Sequence, residues 1–197
     1  MLTLRLFLTS LPLAWAQTTA QRSSIPDDTG LQGKDCQIQC PRSSEQGLVV
    51  LPAITQIQNE SGKWENILEC WSVNTTTVNM PDIDNAFRLD WEKGFDAVYQ
   101  YVFYGPSFMP AHPAPEPSLI IMSAGIGDLR MPSGKCLRVT AGDIFFSVGT
   151  DGRQTAWWSE GTVVSDLYFK DGKIPAHTVV PELADASSRR AQDRTEL

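Results

Sequence analysis

Residues 112–148 read HPAPEPSLIIMSAGIGDLRMPSGKCLRVTAGDIFFSV, and this stretch decides the predicted fold. Four short apolar runs alternate with the turn-forming tripeptides Ser-Ala-Gly, Pro-Ser-Gly and Ala-Gly-Asp. The runs are Leu119 to Met122, Ile126 to Met131, Cys136 to Val139 and Ile144 to Val148. Apolar runs of this length between turn residues are typical of β-strands joined by tight turns. The stretch therefore predicts a tight antiparallel β meander.

The rest of the chain also shows the pattern of short strands. Two β-prone runs on either side of a polar turn predict a hairpin with Asn59 at its tip. Aromatic residues on both faces of the run Phe95 to Tyr104 predict a central, sandwiched strand. Five prolines between Gly105 and Pro117 predict an extended loop or an edge segment. Further strands are predicted at Gly47 to Gln58, Trp64 to Val73, Ala86 to Trp91, Thr155 to Trp158 and Thr162 to Phe169. About eight to ten short strands predict an all-β sandwich or barrel, closed or nearly closed.

Length and charge limit the classes of partner. The 197 residues fit one domain with tails, and a hydrophobic content of 42% can support a core. The formal net charge of -7 argues against nucleic acid and against an anionic membrane surface. Apart from Arg189-Arg190, the sequence has no basic patch. Neither class of partner is therefore expected.

Residues 1–16 resemble a secretory signal peptide. Arg5 precedes an apolar core from Leu6 to Leu13, and Ala14-Trp15-Ala16 has the form of a cleavage site. The apolar run is shorter than the ~20 residues that a membrane span needs. We therefore expect a secreted protein with no membrane contact after cleavage. Arg194 to Leu197 resemble a retrieval signal, so the endoplasmic reticulum lumen is the alternative location.

Four segments follow from this pattern of composition. They are the signal peptide at 1–16, a flexible leader at 17–46, a β domain at 47–180 and a polar tail at 181–197. The leader is rich in polar and turn-forming residues, and the tail in alanine, serine and charge, which is typical of segments outside a packed core. The domain prediction therefore places the whole core between residues 47 and 180.

Cysteines and sequons agree with the secretory pathway. An even number of cysteines, Cys36, Cys40, Cys70 and Cys136, fits two disulfides in an oxidising compartment. All three pairings stay open, although the short Cys36–Cys40 spacing predicts that at least one of the two reaches a distant partner. Zinc is the alternative use of such a pair, but the chain has two histidines and neither is near. Asn59-Glu60-Ser61 and Asn74-Thr75-Thr76 are N-glycosylation sequons.

The segment from His112 onward resembles the small single-domain cupins, a jelly-roll β-barrel family. His-Pro-Ala-Pro precedes the first core strand, Gly125 ends that strand, Ser133-Gly134 forms a hairpin turn, and Ala141-Gly142-Asp143 forms the next turn. The likeness covers about residues 95–170. It implies a cupin-like jelly-roll β-barrel, and it implies membership of the secreted and fungal proteins of this family that act in natural-product pathways.

The ligand pattern departs from that of metal-binding cupins. Such cupins bind a divalent metal through two or three histidines and a carboxylate. His112 matches the first histidine position, but Ser118 stands at the next polar position, and the expected second histidine falls near Gln154 and Thr155. The other histidine, His177, lies beyond the last predicted strand. We therefore expect no cofactor and no metal ligands, and a divalent metal at His112 is the alternative.

Two residues are candidates for catalysis. His112 can act as a general acid or base at the barrel mouth, because the ordinary pKa of histidine lies near neutrality; the alternative is a loop histidine with a structural hydrogen bond. Tyr101 can present a hydroxyl inside an apolar pocket. Small barrels commonly hold one organic ligand among aromatic side chains and a few polar groups. The predicted pocket residues are Gln100, Phe103, Glu116, Ser123 and Trp157, and ordinary core packing is the alternative for the aromatic ones.

The functional prediction is a secreted, glycosylated cupin-like protein that binds a small apolar organic molecule. The resemblance implies a tailoring step of the oxidoreductase or the cyclase and isomerase type in secondary-metabolite biosynthesis. The alternative is a non-catalytic secreted glycoprotein or binding barrel whose ancestral site has decayed. A homodimer stays open. Serine-hydrolase, phosphate-loop and Rossmann motifs do not occur in the sequence.

Overall fold

The computed structural model describes residues 38, 40–41, 47–77, 87–89 and 94–182, which belong to one unit, Lys34–Leu197. The predicted signal peptide, Cys36, most of the leader and the tail after residue 182 lie outside these ranges. No helix in the described ranges has the length and apolar character that crossing a bilayer requires.

The described chain is built almost entirely from strands in two main sheets. The strands are β1 (Leu48–Gln58), β2 (Trp64–Asn74), β3 (Thr76–Thr77), β4 (Phe87–Arg88), β5 (Phe95–Val102), β6 (Ser107–His112), β7 (Ser118–Ala124), β8 (Ile126–Arg130), β9 (Cys136–Thr140), β10 (Ile144–Ser147), β11 (Gln154–Trp158), β12 (Val163–Phe169) and β13 (His177–Val180). A seven-stranded sheet has the order β13-β2-β1-β10-β7-β12-β5, and a four-stranded sheet has the order β6-β11-β8-β9. β3 and β4 form a separate two-stranded ribbon. The all-β prediction is confirmed.

The first hairpin has the predicted position and tip. β1 pairs with β2 along its whole length, from Leu48 opposite Asn74 to Gln58 opposite Trp64. At the turn the Asn59 side-chain oxygen accepts hydrogen bonds from the backbone N–H groups of Ser61 and Lys63, at 3.0 and 2.9 Å. An asparagine that bonds to the backbone ahead of it is a common way to form a turn.

Residues 112–148 do not form a meander, so that prediction is wrong. β8 and β9 form a hairpin in the four-stranded sheet, whereas β7 and β10 pair with each other in the seven-stranded sheet. The chain changes sheets at Gly125, whose φ is +80° and where a Cβ atom would lie 2.2 Å from the Thr162 hydroxyl. The predicted turns at 133–134 and 141–143 are present, and Asp143 Oδ2 accepts a 2.7 Å hydrogen bond from the Thr140 N–H. Turn residues identified where strands end, but not which sheet the next strand joins.

Both faces of the seven-stranded sheet carry a core. On the inner face, towards the four-stranded sheet, Phe145 and Ile120 pack with Leu129 and Trp158. On the outer face, Phe146 packs with Trp71, Phe169 and neighbouring apolar residues. The adjacent side chains Phe145 and Phe146 are both fully buried although they point to opposite faces. β10 is therefore the central strand of the fold.

The two sheets are not closed into a barrel, which corrects that part of the fold prediction; the jelly-roll and cupin identity stays a prediction. The predicted central strand Phe95–Tyr104 is β5, at the end of the seven-stranded sheet, and Val98 on it is 62% exposed. That prediction failed because aromatic residues on both faces fit an exposed edge strand as well as a buried one. The five-proline segment was predicted to be an extended loop or an edge segment, and it contains the edge strand β6.

The C-terminal end of the domain holds a strand that the sequence prediction missed, because it placed His177 beyond the last strand. β13 pairs with β2, with His177 opposite Val73, and the His177 ring stacks on Trp71 at a centroid distance of 3.6 Å. Four residues preceded by Pro175 and followed by Pro181 give little β pattern in the sequence alone. The strand forms because it extends an existing sheet edge.

One lateral side of the sandwich carries a disulfide. Cys40 is bonded to Cys70 on β2, and Ile38 packs against the inner core. Cys136 on β9 is also disulfide-bonded. The predicted use of these cysteines in disulfides, with at least one distant partner, is confirmed for Cys40. A disulfide fits an extracellular or secreted protein.

Candidate functional site

The opposite lateral side lies between β5 and β6, the edge strands of the two sheets. Only residues 103–106 separate these strands in sequence, so their adjacent ends lie close together. Residues directly opposite one another in a ladder share a face of the sheet. Tyr99 pairs with Asp166, which pairs with Ile120 of the inner core, so Tyr99 and Asp166 face the four-stranded sheet.

Other side chains of this side share the same direction. Tyr101 pairs with Val164 of the inner core, and Met109 on β6 pairs with the buried Ala156. Tyr99, Tyr101 and Met109 are nevertheless 51%, 44% and 37% exposed. Inner-face residues stay this exposed only where the sheets do not cover one another. We call this space the edge gap and define it by Tyr99, Tyr101, Met109, Asp166 and Tyr168.

Asp166 is the most unusual group of the edge gap. Its Oδ1 atom is buried and has no hydrogen-bond partner among the residues that the structure describes. Burial raises the pKa of the Asp166 carboxyl from 3.8 to about 6, because a carboxylate loses hydration in an apolar environment. A buried polar atom without a partner is rare in folded proteins and calls for a specific explanation, such as a bound water or a ligand.

Two tyrosines lie next to this carboxyl. Burial raises the pKa of the Tyr168 hydroxyl, and a side-chain hydrogen bond with Tyr101 and the charges of Tyr101, Asp166 and Glu116 raise it further. The Tyr99 ring lies 5.3 Å from the Tyr168 ring, centroid to centroid. A tyrosine hydroxyl is protonated at neutral pH and can donate a hydrogen bond, and the raised pKa of Tyr168 extends this state to more alkaline pH. The edge gap thus combines a carboxyl group with phenol donors.

An aromatic surface extends the edge gap towards the other sheet. Phe103 stacks on Trp158 with a centroid distance of 5.5 Å and an interplanar angle of 20°. The Trp158 indole N–H donates to Met109 Sδ at 3.2 Å. Flat, polarisable side chains of this kind are typical of pockets for apolar organic ligands.

Three of the predicted site residues lie on the inner faces. Tyr101 and Phe103 contribute to the edge gap or its aromatic surface, and His112 pairs with the buried Gln154 at the end of β6. His112 is half-buried, and its Nδ1–H donates to the Pro110 carbonyl oxygen at 2.7 Å. This hydrogen bond fits the structural interpretation of His112 and fixes its ring orientation.

The other predicted pocket residues do not gather there. Gln100 lies on the outer face of β5, where its amide donates to Ser165 Oγ at 3.4 Å. Ser123 lies on the outer face of β7, and Trp157 on the outer face of the four-stranded sheet. Glu116 is exposed near Tyr168. Of the residues predicted to line one pocket, the structure therefore brings together Tyr101 and Phe103, with Glu116 at the margin.

Asp166 and Tyr168 were missing from the sequence prediction. In the strand VVSDLYF, alternate residues Val164, Asp166 and Tyr168 share the inner face. A single acidic residue at an inward position of an apolar strand was the available signal. Among the described residues, no three His, Cys, Asp or Glu side chains lie close enough together to hold a metal ion.

Comparisons with protein families, curated proteins and solved structures find no match to this chain. The likeness to cupins, and what it implies about metabolism, therefore stays a prediction.

Proposed function

We propose that this is a secreted protein that binds a small, largely apolar organic molecule in the edge gap, and that Asp166 transfers a proton on that molecule. The observation that carries the proposal is the buried Asp166 oxygen beside two tyrosines, which has no hydrogen-bond partner in the described part of the chain. The reaction is of the isomerase or cyclase type, a tailoring step in secondary-metabolite biosynthesis.

The chemistry follows from the protonation states of these groups. A carboxyl whose pKa is about 6 is present in both protonation states near neutral pH, as a general base and its conjugate acid must be. Asp166 removes a proton from a carbon next to a carbonyl group, and the bonding electrons move to the carbonyl oxygen. A tyrosine hydroxyl donates a hydrogen bond to that oxygen. In a substrate with a carbon–carbon double bond one position beyond the carbon that loses the proton, the enolate is conjugated with that bond. Asp166 then returns the proton to the far end of the double bond, the bond moves next to the carbonyl group, and the isomerisation needs no oxidant.

The surroundings select for an apolar substrate. Phe103 and Met109 are partly exposed and pack against the buried Trp158, so they offer aromatic and thioether surface on the inner faces to which the carboxyl also belongs. An apolar ligand that covers this surface removes it from water, at about 25 cal/mol per Å². Covering the edge gap also removes water from Asp166, which strengthens its interaction with the proton to be moved.

The test is hydrogen exchange into a panel of apolar ketones and aromatic carbonyl compounds. The purified full chain is incubated with each compound in deuterium oxide, and deuterium incorporation next to the carbonyl is measured by NMR. At least one compound is expected to exchange, and Asp166→Asn is expected to lose at least about 100-fold of that rate. Asp171→Asn makes the same chemical change at an exposed carboxylate and is the matched control.

The outcomes separate the candidate functions. If Asp166→Asn exchanges as fast as the wild type, Asp166 is not the base. If compounds bind but the wild type catalyses no exchange, the protein is the non-catalytic binding protein that forms the second candidate. The hydrogen bond between His112 and Pro110 favours this second candidate, because it gives the histidine a structural role.

A further inference from the structure

A second concavity lies at the opposite end of the seven-stranded sheet, along β13, β2 and β1. It is a groove of about 350 Å³, lined by Leu48, Ser72, Asn74, Ala176, His177, Thr178 and Val180. Asn74 pairs with Leu48, and Ser72 pairs with Thr178, so these four side chains point to the same face of the sheet. Its volume lies within the range of about 300–1,000 Å³ that small-ligand sites occupy.

The groove includes the acceptor residue of a glycosylation sequon. Asn74 is the last residue of β2, is exposed, and begins the sequence Asn74-Thr75-Thr76. We propose that this groove seats the innermost sugar of an N-linked glycan attached to Asn74. The proposal rests on entry into the secretory pathway and is independent of the chemistry proposed for Asp166.

The lining suits a sugar ring. Leu48, Ala176 and Val180 offer apolar surface to the C–H face of the ring, and the hydroxyls of Ser72 and Thr178 can bond to its polar substituents. Because the sugar is attached to the wall of the groove, its effective concentration there is high and weak contacts suffice to seat it. A free ligand would pay an additional association entropy.

The other sequon provides an internal control. Asn59 stands at the tip of the β1–β2 hairpin, where its side chain bonds to Ser61 and Lys63 and donates to Glu65 Oε1 at 2.8 Å. None of the groove residues is near this tip, because the hairpin places Asn59 and Asn74 at opposite ends of β2. A glycan on Asn59 is therefore expected to project into solvent.

The full chain is expressed in a eukaryotic secretory host, and site occupancy and enzymatic release of each glycan are followed by peptide mass spectrometry. If residues 1–16 do not direct export of the chain, a signal peptide of the host is added in front of it. A failure of export would contradict the predicted localisation and would not bear on the groove. In the native protein we expect the Asn74 glycan to be released about tenfold more slowly than the Asn59 glycan, because release must wait for the seated sugar to leave the groove. After denaturation the two rates should be equal.

A groove-filling variant tests the cause of this protection. Thr178 is exposed on an edge strand, so Thr178→Trp is compatible with β13 and occupies the space of the sugar. It is expected to remove most of the difference between the two native release rates. The proposal is overturned if Asn74 is unoccupied while the chain is secreted, if both native rates are equal, or if Thr178→Trp leaves the difference unchanged.

Discussion

Replacing Asp166 with asparagine measures how much the burial of an ionised carboxylate lowers the free energy of unfolding. The substitution preserves the size and shape of the side chain and removes its titration. In the native protein, burial holds the Asp166 pKa at about 6 instead of 3.8. Since the native state binds this proton more tightly than the unfolded state, the stabilisation is complete below pH 3.8 and is lost as the pH rises through about 6.

The size of the effect follows from the shift. About two pKa units correspond to about 3 kcal/mol of unfolding free energy, which the wild type loses between low and neutral pH. Asp166→Asn does not titrate and keeps its stability over this interval. The difference in unfolding free energy, variant minus wild type, should therefore rise by about 3 kcal/mol between pH 3.5 and pH 8. The buried amide adds a constant that does not depend on pH.

Urea unfolding at a series of pH values measures this difference. Asp171→Asn is the control, because Asp171 is 62% exposed and its φ of 54° suits asparagine. Its curve should run parallel to that of the wild type. If the difference for Asp166→Asn stays within about 0.5 kcal/mol from pH 3.5 to pH 8, the carboxyl is not desolvated and the reasoning about the edge gap fails.

Three further tests, each by denaturant unfolding of substituted proteins, address other parts of the fold. Replacing Cys40 and Cys70 with serine opens a link across a sequence separation of 30 and should cost about 3–4 kcal/mol; equal stability under oxidising conditions would contradict the bond. Arg138→Gln breaks the 2.7 Å ion pair with the buried carboxylate of Asp128 and should lower the unfolding free energy by about 3 kcal/mol. Lys135→Gln breaks the exposed pair with Glu182 and should lower it by less than about 1 kcal/mol. Similar losses for the two variants would show that the two pairs do not differ in burial. Gly127→Ala places a Cβ atom 2.3 Å from a buried tryptophan ring and should cost about 1–3 kcal/mol; an unchanged midpoint would show that the ring can move aside.

Local pattern was enough to predict most strands and most turns, although β3 and β13 were missed. Two β-prone runs on either side of a polar turn located the β1–β2 hairpin, and Gly-containing turns located the ends of β7 to β10. Pairing could not be predicted in the same way, because a turn after β7 is compatible with a return to the same sheet or a crossing to the other. The structure shows the crossing, at Gly125.

The candidate site was harder to predict, because it depends on what covers each face. Tyr101 and Phe103 were identified from aromatic density, and the register places both on the inner face. Trp157 belongs to an equally aromatic run, but its side chain lies on the outer face of the four-stranded sheet. The one signal for Asp166, a single acidic residue in an apolar strand, is weak, since such a residue is usually solvated. Its importance arises from burial, which the amino-acid pattern alone does not contain.

The most direct test of the edge gap is a carbon-13 NMR titration of the Asp166 carboxyl in the full, ligand-free chain, with Asp166→Asn used to assign the resonance. A buried carboxyl in the edge gap predicts a midpoint near pH 6. A midpoint near the ordinary value of 3.8 would show that the carboxylate is well hydrated, and it would contradict both the desolvated site and the acid–base role proposed for it.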